Sequence, residues 1–199
     1  MPWAPDYVTE DQVADYLRAG DDTEDVDLHP LAISTASRAV DDHTNRQFGK
    51  VDGPVERFYT PWPDDERGVW CVDIDDLMDT TGVVVKVNGT TVTTYTLEPR
   101  NAAADGEPWT LLVFTDASEA APTSTDDEVS VMAPWGWSAI PARVTTATLL
   151  QTSRFVKRRD APFGIAGSPE LGGEMRLLAK LDPDVAVALR GLVRTRKVG

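Results

Sequence analysis

The sequence is poor in the residues from which most catalytic and metal sites are built. Its 199 residues include one cysteine, Cys71, and two histidines, His29 and His43. A lone cysteine excludes an internal disulfide and fits a reducing compartment. In "VWCVDI" it reads as a packed strand residue, with no helix N-terminus to activate the thiol. Neither histidine has a cysteine near it, so no zinc spacing exists. His43 reads as a partly buried helix residue. No run approaches the ~18 apolar residues of a membrane span. "MPWAPDYVTEDQ" has neither the basic nor the apolar region of a signal peptide, so none is expected. The G-x-S-x-G, P-loop and G-x-G-x-x-G patterns are missing. "GIAG" lacks the following helix and lysine that a phosphate cradle uses.

Positive charge is scarce too, and unevenly spread. Net charge is −14. Residues 1–139 hold 8 Lys/Arg against 28 Asp/Glu, and residues 140–199 hold 11 against 5. Such a split points to surfaces with different partners. The acidic part argues against tight wrapping of nucleic acid, which needs neutralised phosphates.

What is present begins with helices. In "VTEDQVADYLRAG", Thr9 and Gln12 form a capping box, Val8 and Val13 occupy the staple positions, and Gly20 ends the helix. "DLHPLAISTASRAVDDHTNRQFG" predicts a second helix closed by Gly49, with Leu28, Leu31, Ala32, Ala36, Ala39, Val40 and His43 at helical spacing. The period then drops to two. Strands are expected over 55–61, 69–74, 83–87, 92–98, 109–115 and 128–137, with Asn88-Gly89 as a type I′ hairpin turn. "PARVTTATLLQTSRFVKRRD" predicts a third helix. Val144, Ala147, Thr148, Gln151 and Phe155 share one face, while Leu149, Leu150 and Val156 lie off it. A helix apolar on several sides needs several covers, and a neighbouring subunit could supply one. Asp182 and Pro183 then open a short helix to about Arg190.

The fold class expected is α+β: a three-helix-bundle frame, a β-rich insertion between helices two and three, and an extended C-terminal arm ending in a short helix. The expected domains are 1–53 with 138–160 for the bundle, 54–137 for the insertion, and 161–199 for the arm.

Candidate chemistry is thin. Asp73, Asp75, Asp76 and Asp79 in "DIDDLMD" could attract a divalent cation, but the glycine of an EF-hand loop is missing, and an acidic strand edge is the favoured reading. No catalytic, metal or cofactor-binding residue is assigned. In "FVKRRDAPFGIAG", Lys157, Arg158 and Arg159 suit a helix C-terminus and can also meet carboxylates of another protein or another copy. Phe163, Ile165 and Leu171 are apolar residues spaced along a glycine- and proline-rich stretch. These six are the candidate partner-interface residues.

The runs "YVTEDQVADYL", "HPLAISTASRAVDDHTNRQFG", "TTYTLEP", "APWGWSAIPARVTTATLLQTSRFVKRRDAPFGIAG" and "LDPDVAVALR", taken in order, resemble the head-to-tail adaptor (head–tail connector) proteins of long-tailed bacteriophages, especially those of actinobacterial hosts. The resemblance implies a structural, non-enzymatic virion protein without cofactor. It implies a dodecameric ring beneath the portal, extending the DNA channel and receiving a stopper or other tail-side neck protein. DNA would pass without specific binding, and no membrane is involved. The location implied is the capsid–tail junction, after assembly in the host cytoplasm. The arm would dock on the portal. Competing readings are another neck protein (stopper or tail terminator), a small acidic metal-binding enzyme, and a β-rich binding module.

Overall fold

The computed structural model describes residues 4–17, 29–115, 120–159, 165–166, 175–176 and 181–195, with the side chains at 29, 158–159, 165–166 and 175–176 outside that description. In chain order the elements are α1 (Glu10–Leu17), α2 (His29–Thr44), β1 (Val55–Tyr59), β2 (Trp62–Asp64), β3 (Val69–Leu77), β4 (Val84–Val87), β5 (Thr90–Val92), β6 (Tyr95–Glu98), α3 (Ala102–Asp105), β7 (Trp109–Phe114), β8 (Val129–Ala133), α4 (Ala142–Arg159), β9 (Ile165–Ala166), β10 (Met175–Arg176) and α5 (Pro183–Leu189), which runs into a 3-10 turn, Arg190–Leu192. The chain divides into two compact units, Met1–Phe48 with Ile140–Arg194, and a second built on Gly49–Ala139.

The first unit is helical. Thr9 starts α1 as its sequence dictates: Thr9 N–H donates to Gln12 Oε1 at 2.9 Å, and Gln12 N–H to Thr9 Oγ1 at 3.3 Å. Val8 and Val13 flank the cap and pack with Ile33, joined by Leu17 and Leu149. The buried side of α2 is Ile33, Ala36, Ser37, Val40, Asp41 and Thr44, not the alanine-rich stripe expected. Leu31 is 69% exposed. The helix ends at Thr44, before Gly49, because Asn45 takes the left-handed conformation, φ 52°, which asparagine tolerates at a helix end.

The expected three-helix-bundle frame is not what forms. Among the described residues there are five α-helices and two four-stranded antiparallel sheets. The reason lies in α5. Asp182 caps it by accepting from Asp184 N–H at 2.9 Å, with Pro183 in the first turn. Its Val185, Leu189 and Leu192 are buried, and it packs on α4 and α2. So α4, apolar on several sides, is covered by α1, α2 and α5 of its own chain. Within the presumed arm, Met175 pairs with Ala166 and Arg176 with Ile165 in an antiparallel ladder.

The second unit is β-rich, and its strands order as β1-β8-β4-β5 and β2-β3-β7-β6. Alternation fixes the facing sides. Val85, Val87, Val129, Val131 and Ala133 from one sheet meet Val72, Ile74, Leu77, Leu112 and Phe114 from the other in one apolar core with Trp135. Asn88 (φ 49°) and Gly89 (φ 81°) make the two-residue turn between β4 and β5, with Val87 opposite Thr90. The short β2 and α3 escaped the sequence reading. Three residues containing a proline give no period, and a four-residue alanine helix has no apolar stripe.

Candidate interaction surface

The acidic stretch on and just after β3 shows how this molecule uses its carboxylates. Asp73 Oδ2 accepts from Trp62 Nε1 at 3.2 Å. Asp75 Oδ2 takes Arg57 Nη1 at 2.7 Å and the Tyr59 hydroxyl at 3.1 Å. Buried Asp76 accepts from Trp137 Nε1 at 2.8 Å. Asp79 pairs with Lys50 at 2.7 Å and caps Thr81 N–H at 2.9 Å. Those two partners hold its carboxyl below the usual range. The four carboxylates hold different donors around the fold rather than converging on one point. Cys71 is buried beneath the Arg67 guanidinium, 3.7 Å away, and burial pushes its thiol up.

"WGW" has a mechanical role that the sequence alone does not disclose. Trp135 is buried and donates from Nε1 to Val55 O at 2.7 Å. Trp137 reaches Asp76. Between them Gly136 sits at φ 106°, and a Cβ there would lie 2.0 Å from Gly49 O. Trp137 N–H donates to Gly49 O at 2.9 Å, Gly136 N–H to Asp76 O at 2.7 Å, and Val51 N–H to Trp135 O at 2.9 Å. The first and last segments of the β unit are therefore clasped to each other, and only glycine allows so close an approach.

In the helical unit, Tyr7 and Asp41 form a buried polar knot. The Tyr7 hydroxyl donates to Asp41 Oδ1 and accepts from Phe48 N–H at 2.9 Å. Arg38 Nε pairs with Asp41 Oδ2 at 2.8 Å and its guanidinium also donates to Pro5 O at 2.6 Å. Burial pushes the Asp41 carboxyl up to about 6, against the opposing pull of Tyr7 and Arg38. Burial and the Asp41 hydrogen bond likewise push the Tyr7 phenol up.

Of the six predicted interface residues, Lys157 is exposed on the last turns of α4. Arg158 and Arg159 lie on the same helix with side chains outside the described set. Phe163 and Leu171 lie outside the described residues, and Ile165 is placed through its backbone pairing with Arg176. Within the same helix, Arg154 pairs with a carboxylate of its own chain. Its Nη1 meets Asp182 Oδ2 at 3.0 Å, while Gln151 Oε1 accepts from Asp182 N–H at 3.3 Å. Asp182, at the start of α5, is thus held against the side of α4.

A second basic locus was missed. Arg46 Nε donates to Leu192 O at 2.8 Å. Arg143 brings Nη1 to within 3.1 Å of where a Cβ on Gly191 would be. Arg190 is exposed on the same turn. The contributors come from three distant parts of the sequence, so no linear motif could reveal them.

No family model matches the chain, and no curated protein matches it in sequence. Among solved structures, the fold is similar to a chain in the neck of an empty GTA particle, computed with C6 symmetry. The TM-score is 0.58 at 16% identity, over 100% of this chain and 96% of that one. At that identity the likeness is one of fold.

Proposed function

We propose that the protein is a structural neck component of a phage-like particle, a head-to-tail adaptor that forms a ring beneath the portal and joins the capsid vertex to the tail. The observation that carries the reading is the end-to-end fold likeness to a chain from a particle neck. A likeness over one part would mark a common module, whereas this one spans both chains almost completely, the helical and the β residues alike. The order of sequence motifs supports the same reading. The carboxylates of β3 are engaged by donors of the fold, which supports a structural role for them. Six-fold symmetry, in which that neck was computed, also suits a ring of twelve copies. An acidic ring suits a channel that lets DNA pass without holding it. A stopper or tail-terminator role draws support from the two four-stranded sheets, but the helical unit and the motif order favour the adaptor. Deleting the gene from its particle tests the proposal. Filled heads and free tails should accumulate unjoined, and supplying the chain in trans should join them. Normal particles without the chain would refute it.

A further inference from the structure

The segment from Pro183 to Val193 has two sides. Val185, Leu189 and Leu192 are buried, whereas Val187 is 63% exposed, Val193 is 41% exposed, and Arg190 is exposed between them. The outward row is therefore apolar, basic, apolar. Two further guanidinium groups meet the same turn, Arg143 at Gly191 and Arg46 at the Leu192 carbonyl. Asn45 Nδ2 donates to Arg194 O at 3.2 Å, and Arg194 N–H to Thr44 O at 2.8 Å, so the turn is held firmly to the end of α2. Arginine is enriched at interface centres, and the exposed aliphatic side chains beside it add apolar area that a contact can bury.

We propose that this arginine–valine patch is one half of a contact between copies of the chain, and that the acidic β unit of the next copy is the other half. The inference rests on the ring reading and specifies its chemistry. The complement is present in the chain itself: Gly49–Ala139 carries 17 Asp/Glu against 5 Lys/Arg. Two of its turns present carboxylates on fixed backbones. In the β2–β3 turn, Asp64 is consumed by Arg67, and its backbone oxygen accepts from Gly68 N–H at 2.8 Å; Asp65 and Glu66 remain exposed. In the loop before β8, Asp127 is consumed by Thr123 N–H at 2.7 Å, Ser124 N–H at 3.0 Å and Asn88 Nδ2 at 2.7 Å. These donors lower its carboxyl to about 2. Asp126 and Glu128 remain exposed beside it. Arginine binds carboxylates bidentately, which fixes orientation as well as attraction. A contact between unlike surfaces of identical chains propagates head to tail and closes into a ring when its rotation permits.

Sedimentation velocity over a concentration series, at one physiological ionic strength, tests this. The natural chain should self-associate as concentration rises. Arg143→Glu/Arg190→Glu should weaken association by about tenfold or more, as should the milder alanine pair, with circular dichroism unchanged. A second variant, Asp65→Lys/Glu66→Lys/Asp126→Lys/Glu128→Lys, should also fail to self-associate, yet mixing the two reversed variants should restore association. The proposal is overturned if the natural chain stays monomeric throughout, if reversal leaves association intact, or if mixing restores nothing. It is equally overturned if the patch instead binds duplex DNA in a titration and reversal abolishes only that. A chain that joins heads to tails but does not associate through this patch sinks this proposal and leaves the neck reading standing.

Discussion

The two units of this protein solve the problem of a core in different ways. The β unit buries an apolar set, Val72, Ile74, Leu77, Leu112, Phe114, Val129, Val131 and Trp135 among them, and keeps most of its polar pairs outside. The helical unit buries Ser37, Asp41, Thr44, Thr148, Gln151, Thr152, Ser153 and Arg194 alongside its aliphatic residues. An apolar core tolerates exchange of like for like. A polar one depends on every partner being in place, because an unpaired buried group loses its hydration with no return. The β unit should therefore break where its backbone is pinned, and the helical unit where a hydrogen-bond partner is lost.

The largest effect should come from the clasp. Gly136→Ala drives a Cβ into Gly49 O at a positive φ, and we expect a loss of about 3 kcal/mol or more. Gly82→Ala is the matched control, with φ 72° and open space around the added carbon, and should cost only about 1 kcal/mol. Urea melts of both variants check this, and equal losses would mean that the clasp does not restrain the unit.

Next is Asp41. Its carboxyl titrates near 6 in the folded chain against 3.8 as its ordinary value. Between those values the folded state holds a proton that the unfolded state has released, so stability from this group rises as pH falls from 7 to 4. Its contribution is complete only below the unfolded value. The gain is on the order of 1–3 kcal/mol. Asp41→Asn should remove that slope. The check is the difference between natural and variant stabilities at pH 4, 5, 6 and 7; a difference independent of pH contradicts it.

The smallest effect is at the cap of α1. Thr9→Ala removes one member of the reciprocal pair and should cost about 1 kcal/mol, read as a shift in the melting of the helical signal. Gln12→Ala should cost less, since it leaves the Thr9 oxygen on the Gln12 N–H.

Sequence legibility follows the same division between the units. Period-two alternation and Asn88-Gly89 made the central strands visible, because each depends on neighbours a few residues away. The capping box of α1 and the Asp182-Pro183 start of α5 were visible for the same reason. The buried face of α2 was not, because Ser37, Asp41 and Thr44 are interior residues that hydropathy assigns to the surface. Their inward orientation depends on Tyr7 and on backbone carbonyls one turn back. The packing of α5 against α4 was also hidden. Arg154 and Asp182 are 28 residues apart, and no local pattern links them. The arginine patch is the extreme case, assembled from positions 46, 143 and 190.

The central claim is that this chain forms a ring in the neck of a phage-like particle, and a cryo-EM reconstruction of the capsid–tail junction of its own particle tests it most directly. The account predicts a ring of identical copies directly beneath the portal, each with a helical and a β unit, and with residues 187–193 of one copy against the β unit of the next. Finding the chain in the tail tube, in the capsid shell, or absent from the junction would contradict it.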